Sequence, residues 1–272
     1  MPRLSIVIVT YNSAGHIGGC LDSVTRHPPG VDHEIAIVDN ASSDGTVDAV
    51  RQRWPAVRTI AAGGNTGFAK ANNIGIRATS GELVLLLNPD TVVPPGALDA
   101  LVATLDARPD AAIAGPRLVG AAGRGELSFG WMMSPLAELR QKLIGAAYGR
   151  QVPIVTGYAD RLTRRAREVD WVSGACLLVR RADADAVGLM DERFFMYTED
   201  VDFCASIRAR GRAVLFAPAA EVTHLRGQSA ASAPRATQAA YRRSQIAFYE
   251  KHHPRWAPVL RAYLRLLGRL PR

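Results

Sequence analysis

Residues 83–90 read LVLLLNPD. Five apolar side chains run without a break and stop at a polar turn that ends in a carboxylate. An amphipathic helix would interleave polar residues every third or fourth position, and a half-exposed strand would alternate. A short continuous run is the signature of a strand buried on both faces, as in a parallel sheet covered by helices.

The same pattern recurs. LSIVIVTYN (4–12) is a short β-branched run ending in a polar turn. HEIAIVDNASSDGT (33–46) gives a strand over Glu34–Val38, a turn, and a helix whose start is marked by Ser43 or Asp44. A third strand, glycine turn and helix follow in 57–81. After LVLLLNPD, the next helix is entered through Pro94 and Pro95. Ile17, Cys20, Leu21 and Val24 fall at helical spacing, as do Leu98, Leu101, Val102 and Leu105. Four strand–helix units predict an α/β domain with a parallel sheet flanked by helices. Ligands of such sheets bind at the carboxyl ends of the strands. Here those ends are Thr10-Tyr11-Asn12, Asp39-Asn40, Gly63-Gly64-Asn65 and Asn88-Pro89-Asp90. Turn chemistry alone accounts for one or two of them. It accounts less well for an Asp placed directly after a buried apolar run, which happens twice.

Several classes are excluded. The first turn, TYNSAGHIGG, lacks G-x-G-x-x-G, and no G-x-x-x-x-G-K-[ST] occurs, which argues against a nicotinamide enzyme and a P-loop NTPase. The same turn lacks the basic residue a sugar-nucleotide pyrophosphorylase would need. The chain of 272 residues has no apolar run long enough to span a bilayer. Cys20, Cys176 and Cys204 are odd in number and far apart, which suits buried thiols in a reducing compartment. A cytoplasmic location is expected.

Residues 116–169 are rich in Gly, Arg and Ala, with Arg161, Arg164, Arg165 and Arg167 in one short span. They read as an insertion or mobile loop with weak helices. VDWVSGACLLVRR (169–181) returns to strand, TEDVDFCASIRARG (198–211) opens a helix at Thr198, and AVLFAPAAEVTH (213–224) reads as two further short strands.

The net charge of +8 is not spread evenly: residues 235–272 hold nine Lys or Arg and one acid, and residues 1–234 hold 24 of each sign. In that tail, Trp256, Val259, Leu260, Tyr263, Leu264, Leu267 and Leu270 recur at spacings of three and four beside a stripe of Arg261, Arg265 and Arg269. This is the pattern of an interfacial helix on an anionic membrane, and equally of a helix that covers the protein's own core. The neutral body offers no continuous basic groove, so nucleic acid is not an expected partner.

FFMYTEDVDF (194–203) sets Glu199, Asp200 and Asp202 among four aromatic rings. Acids in a first helical turn answer the helix dipole. A carboxylate in semi-apolar surroundings also has a raised pKa and is suited to take a proton from a hydroxyl. Asp90 with one further ligand could hold a hard divalent cation, and His224 follows the acidic helix where the chain returns to the sheet edge. Taken singly, Asp90 as a turn cap and His224 as a hydrogen-bonded turn residue are the simpler readings.

SIVIVTYN, IVDNASSDGT, GGNTGFAKANNIGI, LLLNPDT and FFMYTEDVDFCASIRARG, in that order, resemble the inverting family 2 glycosyltransferases of the GT-A fold. The likeness is greatest to the rhamnosyltransferase-type branch that builds bacterial cell-surface polysaccharides. It covers about residues 4–226. The resemblance implies a catalytic domain over 1–234, with a nucleotide-binding half (1–115) and an acceptor-binding half (116–234), followed by the basic helical tail 235–272. It implies that Thr10, Tyr11, Asn12, Asp39, Asn65, Gly67, Lys70, Asn73 and Asn88 border the donor nucleotide. Asp90 would bind Mg²⁺ or Mn²⁺ in a D-x-D-like motif that here reads N-P-D, with His224 as second ligand. Asp200 would be the catalytic base, and Trp171, Gly174, Glu199 and Asp202 would shape the acceptor and donor-sugar side. The implied partners are a nucleotide-sugar donor (dTDP-L-rhamnose, or a UDP-sugar as alternative) and a saccharide or polyprenyl-diphosphate-linked saccharide acceptor. A lipid-diphosphate acceptor would give the basic tail an anionic surface to meet at the inner face of the plasma membrane, the alternative to a tail helix that covers the core. A non-catalytic nucleotide- or carbohydrate-binding protein would keep Asp39 without needing Asp90, Asp200 and His224 together.

Overall fold

The computed structural model describes residues 1–150, 157–158, 161–225 and 234–271. Arg226, which the sequence sets beside His224, lies outside them. The strands β1 (Leu4–Thr10), β2 (His33–Asp39), β3 (Arg58–Ala61) and β4 (Leu83–Leu87) alternate with helices α1 (Ile17–Arg26), α2 (Thr46–Arg53) and α3 (Phe68–Ala78). β5 (Thr91–Val92), α4 (Ala97–Asp106) and β6 (Ala111–Val119) follow. Then come β7 (Phe129–Gly130), α5 (Pro135–Gly149), β8 (Arg167–Val169), β9 (Trp171–Val172), β10 (Cys176–Arg180) and α6 (Arg181–Ala186). The chain closes with α7 (Glu199–Arg208), β11 (Ala213–His224), α8 (Pro234–His252) and α9 (Ala257–Leu266).

The sheet order is β3-β2-β1-β4-β10-β6-β11-β5, with β8 added on β11. β3, β2, β1 and β4 run parallel, as does the β6–β11 pair, and β10 runs antiparallel to both β4 and β6. The opening run now has its explanation. Leu83, Leu85 and Leu87 belong to one buried cluster with α1 and α4, while Val84 and Leu86 belong to a second with α3. β1 and β10 divide their side chains the same way. Each fully buried Leu, Ile or Val adds roughly 1.5–3 kcal/mol, and both faces of the sheet must be apolar to gain it. The expected periodic residues of α1 and α4 are all buried, and so are the three free cysteines.

Four local expectations change. The helix after β2 begins at Thr46, because Gly45 adopts a left-handed φ of 85° and the Asp44 carboxylate accepts the Thr46 amide at 3.1 Å. The described part of the segment 116–169 is more regular than its composition suggests and carries a fifteen-residue helix, α5. Residues 213–224 form one long strand with an irregularity between Ala217 and Glu221, not two short strands. The basic tail is two helices. Phe248 and Tyr249 of α8 and Ala257 of α9 pack against Met133, Phe194 and Val201, so the tail shares a hydrophobic cluster with the body.

Candidate active site

The polar ends of β1, β2 and β4 lie side by side because the strands are parallel and in register, Thr10 opposite Asp39 and Ile8 opposite Leu87. Thr10 Oγ1 donates to Asp39 Oδ1 at 3.0 Å, and the Ser42 amide donates to Asp39 Oδ2 at 3.0 Å. Each carboxylate oxygen keeps a second lone pair. Asn12, at φ 50°, is fixed by its amide donating to Ser42 Oγ at 2.9 Å and its side-chain oxygen accepting the Ser43 amide at 2.8 Å. Tyr11 is half exposed.

Asn40, at the end of β2, knits the glycine loop to this floor. Its Nδ2 donates to Asn65 Oδ1 at 3.1 Å and to the Gly67 carbonyl at 3.3 Å, and its Oδ1 accepts the Thr66 amide at 2.8 Å. Sequence reasoning passed over Asn40 as an ordinary turn residue; its position between Asp39 and the glycine loop was the available signal. Gly67 has φ +85°, and a Cβ there would lie 2.4 Å from the Phe195 carbonyl, which accepts the Phe68 amide at 2.7 Å. Only glycine permits both the backbone angle and this approach. Lys70 is exposed near the start of α3. Asn73 is fully buried, and its amide is used by Met190, at 2.8 and 3.0 Å, and by Glu192 at 3.1 Å. It holds α3 to the segment before the acidic helix, which is a structural use and not the donor-facing one expected.

Asn88 and Asp90 follow β4, and the Asn88 amide donates to the Ala175 carbonyl at 2.9 Å. That contact brings the start of β10 to the same edge. The preceding residue, Gly174, donates its amide to Asp200 Oδ2 at 2.9 Å. Asp200 Oδ1 accepts the Val201 amide at 2.8 Å. Burial pushes the Asp200 carboxyl above the ordinary value, and these amides oppose the rise. Glu199 is 7% exposed, its Oε2 has no hydrogen-bond partner among the described residues, and burial beside the Asp200 charge raises its pKa well above the ordinary value. Asp202 is 1% exposed and is held by Lys251 Nζ at 2.8 Å and His252 Nε2 at 2.7 Å. Of the three acids, Asp200 alone keeps partial exposure. Asp202 anchors α8 instead of bordering an acceptor. Two successive non-glycine residues, Tyr197 and Thr198, take left-handed φ values of 69° and 70° just before the acids. Such backbone costs of order 1–3 kcal/mol per residue and gathers at functional sites. Trp171 is half-buried on β9, with Nε1 donating to the Trp131 carbonyl at 3.0 Å.

His224 ends β11 and pairs with Thr91 of β5, which brings it to Asp90. His224 Nε2 lies 3.3 Å from Asp90 Oδ1. Burial raises the Asp90 carboxyl, but the His224 hydrogen bond and charge outweigh it and leave the group below the ordinary value. Burial lowers His224, while Asp90 and Glu126 raise it further, to about 9. Among the described residues no three His, Cys, Asp or Glu side chains converge as a ready metal cage. One carboxylate and one imidazole within hydrogen-bond distance still suit a cation that takes its remaining ligands from phosphates and water, as Mg²⁺ and Mn²⁺ do.

The sequence model of the family "Glycosyltransferase like family 2" matches residues 2–258. The N-acetylglucosaminyl-diphospho-decaprenol L-rhamnosyltransferase of Mycobacterium tuberculosis is 35% identical over 269 residues, 93% of this chain and 86% of that one. The rhamnosyltransferase WbbL of Escherichia coli K12 is 23% identical over 229 residues, 80% and 82% of the two chains. Among solved structures, the mannosyltransferase PcManGT of Pyrobaculum calidifontis, in complex with GDP-Man and Mn²⁺, superposes with a TM-score of 0.62. It is 20% identical and covers 96% of this chain and 69% of its own. TarS of S. aureus, residues 1–349 in complex with UDP-GlcNAc, gives a TM-score of 0.58 at 18% identity over 91% and 66%. These two share the nucleotide-sugar transferase fold. A family match that runs from the first strand into the last helix, together with a relative 35% identical over 93% of the chain, makes this chain a member of glycosyltransferase family 2.

Proposed function

We propose that the protein is an inverting, metal-dependent transferase that moves L-rhamnose from dTDP-L-rhamnose to a polyprenyl-diphosphate-linked saccharide. The observation that carries the chemistry is Asp200: the one partly exposed acid of its cluster, aimed by the Gly174 amide one residue before the Ala175 contact with Asn88. The base thus contacts the residue pair that leads into β10, and the candidate metal ligand Asp90 follows β4, the strand that β10 adjoins. The choice of sugar and acceptor follows the activity of the Mycobacterium tuberculosis rhamnosyltransferase, which is 35% identical over nearly the whole chain.

The scheme is a single displacement. Asp39 and the Thr10–Asn12 turn hold the pyrimidine nucleoside. Asp90 and His224 hold a divalent cation, which would neutralise charge developing on the diphosphate. Asp200 accepts the proton of the acceptor hydroxyl as that oxygen bonds to the anomeric carbon from the face opposite the leaving group. The bond from the anomeric carbon to the diphosphate oxygen breaks, and its electron pair leaves with dTDP. A β-L-rhamnosyl donor therefore yields an α-L-rhamnoside.

The test offers dTDP-L-rhamnose, UDP-GlcNAc, UDP-glucose and GDP-mannose in turn, each with Mn²⁺ and a short-chain prenyl-diphospho-N-acetylglucosamine. The product is weighed by mass spectrometry and its anomeric coupling read by NMR. Turnover with dTDP-L-rhamnose and inversion is expected. Turnover confined to another donor would remove rhamnose, and donor binding without turnover would leave a binding protein.

Peripheral membrane association belongs to the same proposal. No helix among the described residues is long and apolar enough to cross a bilayer. A lipid-linked acceptor still requires the site to work at a membrane surface. α9 divides its apolar residues: Ala257 and Leu264 are buried on the body, while Trp256, Val259, Tyr263 and Leu267 stay about half exposed beside the arginine stripe. That exposed stripe supports an anionic bilayer surface on the cytoplasmic side as the docking partner.

A further inference from the structure

A second carboxylate stands behind His224. Glu126 follows a tight chain reversal: the Gly120 amide donates to the Arg124 carbonyl at 2.9 Å, Val119 and Gly125 form a bridge, and the Glu126 amide donates to the Leu118 carbonyl at 2.8 Å. The side chain is therefore projected from a hydrogen-bonded hairpin, not from a free loop. Its Oε2 lies 3.5 Å from His224 Nδ1, while Asp90 Oδ1 lies 3.3 Å from Nε2. The three side chains are 14%, 9% and 20% exposed for Glu126, His224 and Asp90.

The geometry divides their roles. The two nitrogens of an imidazole ring point away from each other, so a cation held at Nε2 next to Asp90 is out of reach of an acid at Nδ1. Glu126 is left with the Nδ1 proton. A histidine that donates Nδ1–H to a carboxylate is locked in the tautomer whose Nε2 carries the lone pair, and its ring is held in plane. We propose that Glu126 is a positioning residue that presents His224 Nε2 to the divalent cation without ligating it. The proposal rests on the metal reading of Asp90 and His224.

The experiment measures Mn²⁺ binding to the full-length protein with dTDP present, by the electron paramagnetic resonance of free Mn²⁺, for the parent, Glu126→Ala and Glu126→Gln. Loss of such an outer partner weakens metal affinity about 10–100-fold; that loss is expected for Glu126→Ala, with Glu126→Gln between it and the parent. Affinity for dTDP measured in EDTA should not change in either variant. ¹⁵N-histidine NMR of the parent loaded with Mg²⁺ and dTDP, with His224 assigned by His224→Asn, should find the proton on Nδ1. That second readout stands even where Glu126→Ala fails to fold, and a proton on Nε2 overturns the proposal. Parent protein that binds Mn²⁺ while Glu126→Ala binds it within twofold overturns this inference alone. Parent protein that binds no Mn²⁺ with dTDP overturns the metal reading along with it.

Discussion

The Gly174 amide donates to Asp200 Oδ2 at 2.9 Å, and a Cβ at Gly174 would lie 3.3 Å from the Asp200 Cβ. The strand that enters the sheet beside the metal-side turn therefore also sets the rotamer of the base. The other Asp200 oxygen is met by the Val201 amide. Both hydrogen bonds favour the ionised form that a base needs, and burial raises its affinity for a proton.

Asp200→Asn keeps the shape and one of the two amide contacts, since its NH₂ cannot accept the other, and it cannot take a proton. Turnover should fall by about 10²–10⁴, the usual worth of a general base, with donor affinity unchanged in calorimetry. Glu199→Gln should retain turnover within about tenfold, since Glu199 is sealed from the crevice. The reverse pattern would make Glu199 the base. The raised pKa of Asp200 also fixes the acid limb of the kcat/KM profile: activity is lost as pH falls through a value above that of an ordinary aspartate, and Asp200→Asn should erase that limb.

Glu199 makes a separate stability prediction. Its folded pKa is raised by burial and by the Asp200 charge. A carboxyl raised on folding contributes stability below its unfolded pKa, and that contribution is lost as pH rises through the folded value. Glu199→Gln removes the penalty of ionising a buried group. Its Tm relative to the parent should therefore climb between pH 5 and pH 9, read by differential scanning calorimetry. A pH-independent difference would mean that Glu199 has a partner.

The family resemblance implied an acceptor-side role for Asp202; the fold buries it and pairs it with Lys251 and His252 of α8. Asp202→Asn should lower stability by about 1–3 kcal/mol, below the cost of stranding a fully buried partner, because Lys251 and His252 each keep about a quarter of their exposure. Donor and acceptor KM should stay within twofold. An acceptor KM raised tenfold at unchanged Tm would return Asp202 to the site.

These residues mark the limit of legibility. Continuous apolar runs disclosed β1, β2, β4 and β10, because a sheet covered on both faces leaves that trace in any strand. The same trace is blind to direction, so nothing in CLLVR revealed that β10 runs antiparallel between β4 and β6. Asp39 and Asp90 stood out as acids placed where buried runs stop, and Asp200 as one of an acidic cluster among aromatic rings. Asn73 and Asp202 were assigned by motif resemblance, which does not say what covers a helix face; the fold pairs Asn73 with Met190, and Asp202 with Lys251 and His252. Glu126 was invisible: it sits in a Gly- and Arg-rich stretch without periodicity, and its contact with His224 spans 98 positions.

Gly67 tests the junction between the glycine loop and the aromatic segment. Gly67→Ala puts a methyl 2.4 Å from the Phe195 carbonyl at φ +85°. Either the loop or residues 194–198 must shift, at a cost of order 1–3 kcal/mol. Tm should fall by several degrees and donor affinity with it, whereas Gly63→Ala, with open space around its Cβ but a φ of +80°, should cost less of both. Equal effects would leave backbone strain as the whole cause.

The last prediction concerns α9, where two roles share one helix. Removing everything beyond His253 would strip Ala257 and Leu260 from the cluster that contains Met133 and Phe248, so truncation confounds membrane binding with stability. Point substitutions separate them. Tyr263 is 51% exposed and Leu266 87%, whereas Leu264 is fully buried. Surface substitutions away from such contacts change stability within about 0.5 kcal/mol. Tyr263→Ser with Leu266→Ser should leave Tm alone, while Leu264→Ala should lower it by about 2–5 kcal/mol of stability. If the stripe meets a bilayer, the parent co-sediments with phosphatidylglycerol vesicles at 50 mM salt (~14 Å screening length) and is released as salt shortens that length below ~5 Å, because each arginine near the surface contributes about 1 kcal/mol. The double serine variant should stay in the supernatant, and its turnover should fall on prenyl-linked acceptors more than on short soluble ones. Parent protein that ignores anionic vesicles at low salt would reduce α9 to a helix that covers the core.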